Sequence, residues 1–76
     1  MEKTPAILRL VQLLKASGVI GDSLMKEIKN IEGVILFRAI KNAEDVVISS
    51  KFKWSGDWYV VTTDGSIIIE KRFITP

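Results

Sequence analysis

Val34-Ile35-Leu36-Phe37-Arg38-Ala39-Ile40-Lys41-Asn42-Ala43-Glu44-Asp45 decides the fold, because it satisfies two periodicities at once. The run from Val34 to Ile40 is rich in β-branched and aromatic residues, the composition of a strand. Leu36, Phe37, Ile40 and Ala43 also fall on one face of a helix. The strand reading is preferred, since Glu32-Gly33 offers no Ser, Thr, Asp or Asn to cap a helix starting here. Lys41 to Asp45 then form the loop into the next strand. The helical alternative gives three helices followed by a hairpin.

Downstream, Val46 to Trp54, Trp58 to Thr63 and Ser66 to Phe73 read as strands. Asp64-Gly65 suits a two-residue hairpin turn, in which both central residues need positive φ. That turn pairs Thr63 with Ser66, Val61 with Ile68 and Tyr59 with Glu70. Ser55-Gly56 or Gly56-Asp57 makes the other turn, and either choice preserves the facing. One face then carries Ile48, Phe52, Trp54, Tyr59, Val61 and Ile68 and is expected to meet the helices. The other carries Val47, Lys51, Lys53, Trp58, Val60, Ile67, Ile69, Lys71 and Phe73.

Upstream, Thr4-Pro5 reads as a helix start and Gly18 as the residue past its end. Ala6, Ile7, Leu10, Val11, Leu13 and Leu14 share one wide arc of this first helix. Leu8 falls on the polar side, so it is expected to be exposed and is a candidate oligomer contact. Asp22 or Ser23 caps a second helix over about 23–31, with Leu24, Met25, Ile28 and Ile31 on its apolar face and Gly33 ending it. The expected architecture is one α+β domain spanning residues 1–76. Two N-terminal helices pack on one face of a C-terminal antiparallel meander of three or four strands.

The chain has no Cys and no His among its 76 residues. Disulfides and Cys/His zinc sites are therefore excluded, and the commonest general base and best nucleophile are missing. Ser17, Ser23, Ser49, Ser50, Ser55 and Ser66 have no base near them in sequence. Asp57 and Asp64 sit in turns and Glu44-Asp45 in a loop, where Asp is a turn former. Gly18-Val19-Ile20-Gly21 is not a phosphate loop, because it lacks a preceding strand and the third glycine. No enzyme activity, cofactor, metal or small-molecule substrate is expected. Net charge is only +2, and neither half of the chain is a basic arm. No stretch of about 18 apolar residues spans a membrane. Met1-Glu2-Lys3-Thr4-Pro5 lacks a leader pattern, so a cytoplasmic protein is expected. Abundant Ile and Lys with few Asn and Gln is a habit of heat-adapted proteins, and a thermophilic source is entertained.

The constellation with functional content is the second sheet face. Lys51, Lys53 and Lys71 flank Trp58, with Phe73 near. Cations meet phosphates and an aromatic ring stacks on a base. Lysines on a sheet face also block aggregation, their stems cover aromatic rings, and Trp and Phe anchor protein interfaces. The expected function is a small non-catalytic binding protein, an accessory or nucleic-acid-associated factor. The alternative is a protein–protein interaction subunit or homodimer. Under the helical reading of residues 34–44, the order of elements resembles a winged helix. That resemblance implies a DNA-binding regulator with Arg38, Lys41 and Asn42 on the groove-entering helix and the Asp64-Gly65 hairpin as the wing.

Overall fold

Val34–Lys41 is a strand, which settles the architecture. The computed structural model describes residues 6–70. The order is α1 (Ala6–Ala16), α2 (Gly21–Lys29), β1 (Val34–Lys41), β2 (Val47–Trp54), β3 (Asp57–Thr62) and β4 (Ile67–Glu70). The strands form one antiparallel sheet in the order β1-β2-β3-β4. This overturns the winged-helix alternative: no third helix follows α2 among the described residues. Glu32-Gly33 offers no capping side chain, and the β-branched and aromatic residues that follow suit the pleat.

Gly18 ends α1 at φ +85. The Val19 amide donates to the Leu14 carbonyl and the Gly18 amide to Lys15, which closes a Schellman turn. Leu14 and Val19, joined across this turn, both pack against the core. Thr4-Pro5 lies outside the described residues. The second helix starts earlier than expected, at Gly21, and neither Asp22 nor Ser23 caps it. Instead the Gly21 amide donates to the Thr63 carbonyl at 2.8 Å, so a backbone group of the β3–β4 loop takes the place of a side-chain cap. Asp22 then lies in the first turn, where its charge suits the helix dipole.

The core is Ile7, Val11, Leu24, Met25, Ile28, Phe52, Tyr59 and Val61. Phe37, Phe52 and Tyr59 stack across three strands, with centroids 6.2 and 5.7 Å apart. Trp54 meets Tyr59 edge-on, and its indole N–H donates to the Glu32 carbonyl at 3.1 Å. Burial, then the nearby Asp57 carboxylate, pushes the Tyr59 phenol above its ordinary value. Leu8 is half-buried and packs against this core, contrary to expectation. The exposed leucines of α1 are Leu10 and Leu13. The helix is turned so that its Leu8 side covers the β3–β4 hairpin, where Leu8 lines a groove with Lys15, Gly65, Ile67 and Ile69.

Two bulges set which side chains face the helices. Ile35 pairs with Lys53 and Arg38 with Lys51, so β1 holds one extra residue there. Leu36 absorbs it at φ +53, and Phe37 turns inward. The second shift falls between Ile40 and Lys41, opposite Val47 to Ser49. It packs Val47 against the core and leaves Ile48 exposed, the reverse of the expected facing.

The β3–β4 turn corrects a further expectation. Val61 pairs with Ile67 and Tyr59 with Ile69, one residue away from the register of a two-residue turn. The loop is Thr63-Asp64-Gly65, closed by Thr62 N–H to Ser66 C=O and Gly65 N–H to Thr62 C=O. Within it only Gly65 has positive φ. The Asp64 carboxylate accepts from the Thr62 hydroxyl and the Ser66 amide, which favours this longer turn. A one-residue change flips every β4 side chain. Ile67 therefore packs on the core, while Ile68 is exposed on the opposite face. The Asn42–Val46 loop repeats the same backbone bonds, with Asp45 in the left-handed position. Trp54 pairs with Asp57, so the β2–β3 turn is Ser55-Gly56, with both residues at positive φ.

Two outcomes follow from these turns. Gly33 sits at φ +90, and a Cβ there would lie 3.1 Å from Trp54 Nε1. Gly33→Ala should cost about 1 kcal/mol or more in chemical denaturation; an unchanged midpoint would mean that the loop does not close on Trp54. Hydrogen bonds from Thr62 and Ser66 hold the Asp64 carboxyl at about 2, below the usual 3.8. The lowered folded-state value makes its contribution complete above the unfolded pKa, and that contribution fades as pH falls from about 4 to about 2. The stability gap between wild type and Asp64→Asn should close over that window, and a gap that persists at the acid end would contradict the charge-assisted turn.

Candidate partner-contact face

The helices cover one side of the sheet. On the other, strand pairing aligns side chains in rows. Ile35, Lys53, Trp58 and Glu70 form one row. Arg38, Lys51, Val60 and Ile68 form the next. Ile40, Ser49 and Thr62 follow. None of these residues belongs to the core or to the apolar groups packed against it, although Ser49 is itself buried.

Within this face Lys51 occupies the centre. Its Nζ lies 3.0 Å from Glu70 Oε2 and 5.3 Å from the centroid of the Trp58 ring. The ammonium thus bridges two neighbouring strands and covers one side of the indole. Arg38 and Lys53 make no ion pair among the described residues. Between the cations stand aliphatic groups, with Ile35 55% and Ile68 57% exposed. Leu36 is 62% exposed at the bulge beside Ile35. Among the described residues the face therefore carries three cations, one acid, a half-buried indole and several branched aliphatic side chains.

The structure brings Lys51, Lys53 and Trp58 together as the alternation implied. Lys71 and Phe73 lie outside the described residues. Arg38 joins the same face from β1, although its expected role was on a helix. Lys41 pairs with Asp45 at 3.3 Å. Asn42 accepts the Glu44 and Val46 amides through Oδ1, so it organises the turn. Neither is positioned to act with Arg38 as a helical groove reader would. Leu8 is occupied by the core. Ile35, Ile68 and Glu70 were missed as face residues. Only the odd-length loop and the bulge place them there, and neither has a strong signal in the sequence.

Elsewhere the surface offers less chemistry. A shallow groove of about 240 Å³ between the helices is lined by Leu10, Leu13, Leu14, Ser17, Glu27 and Ile31. Another of about 300 Å³ lies between α1 and the β3–β4 hairpin. Neither brings two acids together. Among the described residues no cluster of His, Cys, Asp or Glu could hold a metal ion. Ser50 Oγ is buried between Ala39 and Val61 in the pairing, with no base beside it. No described helix is long and apolar enough to cross a membrane. No protein-family model matches the chain, and neither a curated protein nor a solved structure matches it.

The Lys51–Glu70 pair is about half exposed on both sides. Glu70→Gln should therefore lower unfolding stability by less than about 1 kcal/mol, and the loss should shrink further in about 1 M salt. A larger, salt-insensitive loss would make the pair a structural clamp of the sheet.

Proposed function

We propose that the chain is a small non-catalytic binding protein, an accessory subunit, whose working surface is the uncovered sheet face and whose partner is a protein presenting acidic groups. The observation that carries this reading is the interleaving of Arg38 and Lys53 with the exposed Ile35 and Ile68. Exposed aliphatic groups around an aromatic suit a protein interface, where they leave water together. Cations at the same surface steer an oppositely charged partner and repel a like one. A second copy brought face to face would set three cations against three, so the charge balance disfavours a homodimer through this face.

Nucleic acid is the second reading. It is favoured by Arg38, Lys51 and Lys53 sharing one sheet face with Trp58. It is weakened by Lys51, which Glu70 already neutralises and which covers one side of the ring a base would stack on.

Titrating labelled oligothymidylate over a salt series separates the two. The protein reading expects weak association even at low salt. The nucleic-acid reading expects firm binding with a log–log salt slope of about −1.4, if Arg38 and Lys53 each neutralise one phosphate of a single strand. The surface itself is tested by Arg38→Glu with Lys53→Glu. Stability should stay within about 0.5 kcal/mol, because neither residue belongs to the core. If that double variant still takes up oligothymidylate or an acidic peptide as the wild type does, the sheet face is not the contact surface.

A further inference from the structure

The fold needs a residue at position 36 but makes no use of the leucine side chain there. It sits at φ +53, a backbone region that Gly and Asn occupy readily and that costs a leucine. Its side chain is 62% exposed and belongs neither to the core nor to the apolar groups packed against it. The bulge needs an extra residue, and Gly or Asn would supply that with less strain and no apolar exposure. Ile35, beside it, is also exposed and stands opposite Lys53, while Arg38 follows after the bulge. The sheet edge thus presents two aliphatic side chains flanked by two cations that have no ion-pair partner among the described residues.

We propose that the Ile35–Leu36 bulge is a built contact element that seats an acidic amphipathic segment of a partner protein, with aliphatic side chains on Leu36 and Ile35 and carboxylates on Arg38 and Lys53. This rests on the reading of the sheet face as the partner surface and adds the chemistry of the occupant. Charge complementarity selects it. Among the described residues the face sets three cations against one acid, which favours an anionic partner, and the exposed aliphatic groups favour one that is apolar as well. An anion without apolar groups leaves Leu36 and Ile35 in water, and a second copy of this face adds cations.

The test uses the full chain and two labelled peptides of one length: one rich in Glu and Leu, the other with every Leu replaced by Ser. Wild type should bind the Glu/Leu peptide roughly tenfold tighter than the Glu/Ser peptide. Leu36→Asn should remove most of that preference while leaving the thermal midpoint unchanged or higher, since Asn tolerates the left-handed backbone. Leu36→Gly should behave alike. Arg38→Glu with Lys53→Glu should weaken both peptides. A lower midpoint in both Leu36 variants would assign Leu36 to the fold and overturn the inference. Retained preference in both would also overturn it, yet the sheet-face reading would stand if the charge reversal still weakened binding. Failure of wild type to bind either peptide at low salt, with or without oligothymidylate binding, overturns the inference and the protein reading together.

Discussion

Three aromatic rings crossing β1, β2 and β3 on the helix side of the sheet organise this molecule. Phe37, Phe52 and Tyr59 stack in sequence, and Phe52 and Tyr59 are fully buried. Regular alternation along β1 cannot place Phe37 there while Ile35 and Arg38 both face away. One residue must be taken out of register, and Leu36 is that residue. The left-handed backbone costs a leucine about 1–2 kcal/mol. Burying a large apolar side chain contributes about 1.5–3 kcal/mol, and an aromatic pair adds about 0.5–1.5 kcal/mol. Even with Phe37 only half-buried, the inward ring offsets the strain, so the bulge is held by the stack it permits.

The same constraint determines the outside. By turning Phe37 inward, the bulge sends Ile35 and Arg38 to the face that carries Lys51, Lys53 and Trp58. By its odd length, the Thr63-Asp64-Gly65 loop sends Ile68 and Glu70 to that face and Ile67 to the core. The mixture of cations, aliphatic groups and an indole is thus a product of two local departures from regular pairing. A two-layer arrangement stabilises the sheet through one side and leaves the other outside the core. The helices are tied to the turns as well, since the Gly21 amide ends on the β3–β4 loop and Trp54 ends on the Glu32 carbonyl.

The strand at residues 34–41 was legible because no helix cap precedes it and its residues suit a pleated surface. Phe52, Tyr59 and Val61 were legible as core from alternation, as was the outward facing of Lys51, Lys53 and Trp58. What alternation could not supply was parity across irregularities. Asp64-Gly65 fits a two-residue turn by composition, yet the Thr62 hydroxyl and Ser66 amide offer the carboxylate a better-bonded loop one residue longer. Leu36 gives no bulge signal, because the residue expected at such a position is glycine. Leu8 lay on the polar side of an isolated helical wheel, but α1 is turned so that this side covers the β3–β4 hairpin. At Leu36 and Leu8 a tertiary contact outweighed a local pattern, and at Asp64 local side-chain hydrogen bonds outweighed the turn's composition.

The most direct measurement is a map of nuclear Overhauser contacts among the aromatic and methyl groups in solution. Contacts from the Phe37 ring to Phe52, and from Ile67 to Val61, with Leu36 and Ile68 giving none to the core, are the expected pattern. Contacts from Leu36 to Phe52, with the Phe37 ring in solvent, would mean that β1 runs without its bulge. The exposed face would then be composed differently, and the partner surface derived from it would not exist.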